Sequence, residues 1–352
     1  MKILLGMSGG IDSSVAAILL LQKGYEVVGL TIRTWSQNDD FNNSQIPDYI
    51  TQAQELASKL NIKHIVVDER KQFYNSVITY FKNEYLKGKT PNPCAKCNTV
   101  FKWKILNEYA AKYNCQTIAT GHYVNKILIN NKFYITKGFD NEKDQSFFLW
   151  GLNQNILSKA VFPLGELTKN EVKNIADKHG FKSLKQKKES IGICFVNDTK
   201  YQPFLKSILD REKIDIEQGK FIDRQGNFLA THKGYPYYTV GQRHGLGLNP
   251  KNPFYVININ PKKNIIELGH RQNLYKKEMI VENYNIIDEK DFLKPIITKV
   301  RYRKQKAVSK IKILSDNLLH ITFETPEWSI APGQTAVFYS GNKVLGGGFI
   351  VK

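Results

Sequence analysis

Two groups of residues in this 352-residue chain have the types and spacing to do chemistry. The first is Ser8-Gly9-Gly10-Ile11-Asp12-Ser13-Ser14. Paired glycines let backbone N–H groups approach an anion, and a helix starting there points its positive end at the same spot. Ser8, Ser13 and Ser14 add hydroxyl donors, and Asp12 can cap the helix or help hold magnesium. The second group is cysteine: Cys94 and Cys97 in C-A-K-C, and Cys194 far downstream beside the lysine-rich stretch 182–188. Three readings compete for these thiols. A structural zinc site needs four ligands, usually as two close pairs, and only one pair exists. A redox C-x-x-C suits a helix start, but this one lies in a proline-flanked loop far from the first strand–helix unit. The third reading is sulfur chemistry, with one thiol carrying a persulfide and another acting as its partner. A helix starting near Asn98 would present its positive end to Cys97 and favour a thiolate there. Cys115, at a helix-to-strand junction, reads as a small buried hydrophobe.

The elements that must position these groups follow from the apolar pattern. Residues 2–7 form a short apolar run before the Ser/Gly loop, hence a buried strand, and 15–21 read as the helix after it. Strands are expected at 25–32, 64–67 and 116–120, helices at 49–60, 74–85 and 101–113, and loops at 33–47 and 88–97. This alternation predicts an α/β domain with a doubly wound parallel sheet, whose ligands sit beyond the carboxyl ends of the strands. Residues 8–14, the segment after Ile32, and Gly121-His122 all fall there. From about Gly219 short strands are split by Gly/Asn/Pro turns, which predicts a small β-rich domain and then an antiparallel barrel. The expected divisions are 1–205, 206–273 and 274–352. Alternation puts Lys299, Arg301 and Arg303 on one face of a strand, either to track a phosphate backbone or to face water.

Composition narrows the setting. A formal charge of +19 suits a polyanionic partner, or else a lysine-rich solvated surface. Four cysteines are too few for a disulfide scaffold, so a reducing cytoplasm is expected. No signal peptide and no membrane-spanning stretch is expected either.

The Ser8–Ser14 loop ends in no Gly-Lys-Ser/Thr and contains no G-x-G-x-x-G, which excludes a Walker A loop and the dinucleotide fingerprint. S-G-G-x-D-S-S after a strand resembles the PP-loop of the ATP pyrophosphatases, enzymes that cleave ATP between the α and β phosphates and leave AMP on a substrate oxygen. Five segments in order carry the resemblance further: GMSGGIDSS, TPNPCAKCN, ATGHY followed by KDQSFFLW, SIGICF, and TVGQRHGLG paired with RYR and PGQTAVFY. Together they resemble the tRNA-specific 2-thiouridylases of the MnmA type over almost the whole chain. The resemblance implies a PP-loop (adenine nucleotide α-hydrolase-like) domain, a central β-rich domain and a C-terminal antiparallel β-barrel that contacts tRNA. It implies a tRNA-uridine 2-sulfurtransferase: ATP adenylates the C2 oxygen of the wobble uridine, pyrophosphate leaves, sulfur attacks C2 and AMP departs.

By the same matching, Cys97 is the nucleophile opposite the base and Cys194 the persulfide carrier, and the two close a disulfide as sulfur is delivered. Gly6, Met7, Ser8, Gly9, Gly10, Ile11, Asp12, Ser13, Ile32 and Gly121 contact ATP, with Mg2+. Asn92, Pro93 and Cys94 face the target base, while Lys143, Asp144, Gln145, Arg301 and Tyr302 touch tRNA, with His122 and Gln334 as further candidates. A sulfur-donor protein is the implied second partner. Cys94 stands where better-known members carry Asp. With Cys94, Cys97 and Cys194 available, three thiolates could instead hold a four-iron four-sulfur cluster that delivers sulfide. Two other functions compete, a PP-loop ligase that adenylates a small molecule and a non-catalytic RNA-binding protein. The ligase gives no reason for Cys97 and Cys194, and the intact loop argues against a decayed enzyme.

Overall fold

The computed structural model describes residues 1–35, 45–181, 192–196, 200–248, 253–302 and 307–352. The chain divides into two compact units that interleave in sequence. One comprises Met1–Val77, Cys94–Phe195 and Gly341–Leu345, the other Ile78–Pro93, Val196–Ser340 and Gly346–Lys352.

The first unit begins with β1 (Lys2–Gly6), α1 (Ile11–Gln22), β2 (Glu26–Arg33), α2 (Asp48–Lys59), β3 (Lys63–Asp68) and α3 (Arg70–Phe73). After the excursion into the second unit it resumes with α5 (Pro93–Cys97), a π-helical turn Asn98–Lys102, α6 (Trp103–Lys112) and β4 (Thr117–Ala119). The hairpin β5 (Val124–Ile129) and β6 (Lys132–Lys137), then α7 (Gln154–Lys159), β7 (Ala160–Val161) and α8 (Lys169–Lys178) complete it. The five-stranded sheet has the order β3-β2-β1-β4-β7, and its four neighbouring pairs are all parallel. Ile3, Leu4 and Leu5 of β1 are fully buried at its centre, each stabilising the sheet by ~1.5–3 kcal/mol. The short β7 went unseen in the sequence because two residues carry no periodicity. The region expected as a loop to Cys97 is already helical from Pro93, a residue whose missing N–H and fixed φ suit the first turn of a helix.

The second unit takes α4 (Thr79–Leu86) and α9 (Gln202–Arg211). Its four-stranded sheet has the order β10-β11-β8-β9, built from β8 (Gly219–Ile222), β9 (Phe228–His232), β10 (Tyr255–Asn260) and β11 (Ile265–Gly269). Phe221, Val256, Ile266 and Leu268 form its core. The barrel runs β12-β15-β14-β13-β16-β17, and β12 pairs again with β17 to close it. Its strands are β12 (Tyr275–Ile286), β13 (Ile296–Lys299), β14 (Ala307–Ser315), β15 (Leu318–Trp328), β16 (Thr335–Ser340) and β17 (Lys343–Ile350). Closure removes the exposed edges that would otherwise recruit other strands. Among the described residues no helix is long and apolar enough to cross a membrane.

The expected run of cations along one strand face is corrected here. β13 ends at Lys299, the chain bends through residues 300–302, and Arg303 lies outside the described residues. Arg301 leaves the strand because its guanidinium sits 4.8 Å over the Trp328 ring and donates to the Ser329 hydroxyl and carbonyl.

Candidate active site

The nucleotide loop joins β1 to α1. Gly10 is the N-cap, extended at φ −96° and ψ 163°, and no side chain caps the helix. The first-turn N–H groups are thus oriented toward an incoming anion. Gly9 has φ +68°, and a Cβ there would lie 2.3 Å from the Tyr49 carbonyl oxygen. Gly121 lets β4's trailing end approach, since a Cβ would stand 3.0 Å from the Asp12 carbonyl carbon and the Ser13 nitrogen. The serines divide their work. Ser13 and Ser14 are buried, and both hydroxyls donate to the Gly10 carbonyl, at 3.0 and 2.9 Å. Ser13 Oγ also accepts from the Ser8 N–H at 3.2 Å. Two of the three expected hydroxyl donors therefore shape the loop, and Ser8 is the exposed one. Gly6 and Met7 lead into the loop, where the Met7 carbonyl accepts from Thr31 Oγ1 at 3.0 Å; Ile32, next along β2, pairs with Val67.

Asp12 is not the cap. It lies in the first turn of α1, where its Oδ1 accepts from Lys169 Nζ at 2.7 Å and from the Tyr123 hydroxyl at 2.6 Å. Lys169, 8% exposed, was missed in the sequence. Its position is set by a capping box: Thr168 Oγ1 accepts from the Glu171 N–H, and Glu171 Oε2 accepts from the Thr168 N–H at 2.7 Å. Such a cap is worth about 1 kcal/mol. It places an ammonium in the first turn of a helix, where the dipole disfavours a cation, so Asp12 must offset that cost. T-x-x-E before a helical run was the legible signal.

The thiols are brought together within the first unit. Cys94, Cys97 and Cys194 interact electrostatically with one another and with Lys102. Phe195 anchors the later segment: it is buried and packs edge-on against Phe73 at 5.8 Å, and Phe73 packs on Phe101 at 5.2 Å. All three cysteines are free. The stretch 182–191 that precedes Cys194 lies outside the described residues.

The expected thiolate at Cys97 is overturned. Cys97 closes α5 and runs directly into the π turn and α6, so no helix begins behind it. Burial raises its pKa, opposed by the Lys102 ammonium and by a hydrogen bond from the Lys102 backbone. Burial, then Cys97, pushes Cys94 up to about 11. Cys194 keeps solvent-exposed surface, and desolvation is still the largest cause that raises its thiol. That desolvation, then Cys94 and Cys97, push it up to about 12. At neutral pH all three are thiols, and Lys102 is the cation that favours ionising each. A π turn often marks a functional site, and no spacing rule would have found this one.

His122 links the two groups. It follows Gly121, accepts or donates with Thr120 Oγ1 through Nδ1 at 2.7 Å, and stacks on Trp103 at 6.3 Å. Burial, then Lys102, hold it neutral, well below the ordinary histidine range. Gly121 packs against the backbone of Asp12 and Ser13, and its neighbour His122 feels the same Lys102 charge as the thiols do. Cys115 is buried and stands apart.

Several expected tRNA contacts are engaged within the protein. Asp144 is buried, accepting from the Gly138 and Ser146 N–H groups and from the Ser146 hydroxyl at 2.9 Å. Gln145 Oε1 accepts from the Tyr123 N–H at 3.0 Å, which steadies the tyrosine that holds Asp12. Lys143 is half-buried and donates its N–H to Asp140. Desolvation lowers the pKa of Arg301, opposed by Glu327, and Tyr302 is half-buried beside it in sequence. In the second unit, Asn92 and Gln334 bond within the protein, Asn92 to Thr335 and Gln334 to the carbonyls of Thr90 and Pro91. Pro93 is buried where the loop enters α5.

The family described as tRNA methyl transferase HUP domain matches residues 1–198, its PRC-barrel companion residues 203–270, and an aminomethyltransferase beta-barrel family residues 276–350. The chain is similar to tRNA-specific 2-thiouridylase MnmA 1 of Bacteroides fragilis, 44% identical with 99% of this chain and 97% of that protein covered. It is also similar to MnmA 2 of Phocaeicola vulgatus, 44% identical with 99% and 98% covered. MnmA of Cytophaga hutchinsonii is 42% identical with 99% and 97% covered.

Proposed function

The chain belongs to the tRNA-specific 2-thiouridylase (MnmA) family, and from that premise we propose that it converts the wobble uridine of certain tRNAs to 2-thiouridine, cleaving ATP to AMP and pyrophosphate. One observation carries the reading: Cys94, Cys97 and Cys194, remote in sequence, share one electrostatic neighbourhood that reaches the nucleotide loop through His122 and Gly121. The matching family's description speaks of methyl transfer, but converging thiols suit sulfur chemistry, as the relatives' names do.

ATP fits the loop between β1 and α1, where Gly9 and Gly121 leave room and the first-turn N–H groups meet phosphate. Magnesium comes with the triphosphate, and Asp12 is the carboxylate that the loop offers it. The uracil O2 attacks the α-phosphorus and pyrophosphate leaves, its charge met by the loop N–H groups and Lys169. The terminal sulfur of a persulfide on Cys194 then attacks C2, and AMP leaves with the electrons of the C2–O bond. Cys97, a thiol at rest, gives up its proton beside the Lys102 ammonium that favours the loss, and attacks Cys194 Sγ. The S–S electrons become the C2=S bond, a Cys97–Cys194 disulfide forms, and both thiol protons pass to solvent. A thiol reductant restores the pair, and a sulfur-donor protein recharges Cys194.

The cluster route finds less support. Among the described residues no three His, Cys, Asp or Glu side chains are arranged to hold a metal ion. No step is routed through a cluster.

The test is mass spectrometry of tRNA nucleosides after incubation with ATP, magnesium and a persulfide donor. The expected result is 2-thiouridine with tRNA-dependent AMP release. AMP release driven by a small molecule without RNA would make the protein a ligase, and tRNA binding without AMP release would make it a binding module.

A further inference from the structure

Residues 88–93 run straight into α5, the helix that carries Cys94 and Cys97. Pro91 and Pro93 lack N–H groups, so this segment is short of two backbone donors, and its buried carbonyls draw donors from elsewhere. Pro91, Asn92 and Pro93 are all buried. The partners come from a barrel corner, residues 332–335. The Thr90 N–H donates to the Pro332 carbonyl at 2.7 Å. Gln334 Nε2 donates to the Thr90 carbonyl at 3.0 Å and to the Pro91 carbonyl at 3.2 Å. Asn92 Nδ2 donates to Thr335 Oγ1 at 2.5 Å. The corner is itself fixed to β17, because the Gly333 N–H donates to the Ile350 carbonyl at 2.7 Å and the Ile350 N–H to the Gln334 carbonyl at 2.8 Å. The two loop carbonyls take up the donor capacity of the Gln334 amide nitrogen.

We propose that this corner of the barrel is a clamp on the segment that enters the thiol-bearing helix, with Gln334 as its central positioning residue. Its kinetic consequence rests on the thiolation reading, while the clamp rests on the bonds alone. A sulfur displaced by about 1 Å from its line of attack loses roughly a hundredfold in rate, so a loop held by three side-chain bonds to a closed barrel is a direct means of alignment.

Three variants in the full chain test it. Gln334→Ala deletes the donors, and Gln334→Glu keeps the shape but sets oxygen against the two carbonyls. Thr335→Val removes only the acceptor of Asn92. Expected for both Gln334 variants is a kcat for thiolation lowered about tenfold, with the KM for tRNA held within about twofold; Thr335→Val moves the same way by less. With no tRNA or ATP present, alkylation of Cys94 and Cys97, resolved by mass spectrometry, should run about fivefold faster once the helix start is released. A raised KM for tRNA with wild-type kcat and wild-type alkylation would make Gln334 a tRNA contact and end the proposal. Wild-type behaviour of Gln334→Glu in both assays would end it too. If the wild-type protein made no thiouridine, the thiolation reading would fall, while the alkylation rates would still decide the clamp.

Discussion

The nucleotide loop and the thiol cluster occupy the same unit and are built in opposite ways. The loop is contiguous, and its chemistry is backbone chemistry: N–H groups at a helix start, with Ser13 and Ser14 tying down the Gly10 carbonyl. The cluster is assembled from segments remote in sequence, held by the edge-on packing of Phe195, Phe73 and Phe101. The loop is pre-organised for its charge before any ligand arrives. The thiols are not: burial holds them protonated, and a cation from the π turn is what opposes it. One region binds by what the chain is locally, the other reacts by what the fold brings near.

The sharpest way to separate the two is to break one half-reaction and leave the other. Cys97→Ser and Cys194→Ser should each lower thiolation by about a thousandfold or more while tRNA-dependent pyrophosphate release and tRNA affinity remain. Thiouridine made at the wild-type rate by either variant would cancel that residue's role. Lys169→Met is the complementary cut. Loss of the buried ammonium beside Asp12 should slow pyrophosphate release by about a hundredfold, with alkylation of the cysteines unchanged. If pyrophosphate release kept its rate, Lys169 would be a strut for α8 and nothing more.

pH sharpens the same contrast. An ordinary cysteine stops gaining reactivity near pH 9, whereas Cys94, raised to about 11, should alkylate about tenfold faster per pH unit beyond that point. A plateau at 9 would show that the thiol is not desolvated. The sign for stability follows. The folded state holds these protons more tightly than the unfolded chain does. The stability contributed is therefore full below about pH 9 and lost as pH rises through the folded values of about 11 and 12. Thermal melts across that window should fall, and those of the Cys94→Ala variant should fall less. The smallest effect belongs to Cys115→Ser, which should cost about 1 kcal/mol of stability and no activity, because that thiol is packing.

The strands of the parallel sheet were legible because apolar runs such as KILLG and EVVGLTIR can only be buried, and S-G-G-x-D-S-S carries its own conformation. Even there the serines misled, since a hydroxyl in a sequence does not say which carbonyl it will meet. Arg301 misled for a similar reason: alternation predicts a strand face, but Trp328 and Ser329 drew the guanidinium off it. Cys97 misled because the helix was expected to begin after it, while Pro93 starts it earlier.

What the sequence determined by itself was therefore local. A phosphate loop, a buried central strand and a capping box all depend on groups within a few residues of one another, where backbone geometry fixes the outcome. What only the tertiary structure decided was each group's environment. Lys169 acquired Asp12, Cys194 acquired Cys94 and Cys97, and Gln334 acquired Thr90 and Pro91. Desolvation and the company of charges set whether a thiol ionises or an amide is spoken for, and both are properties of neighbours that the linear chain does not name.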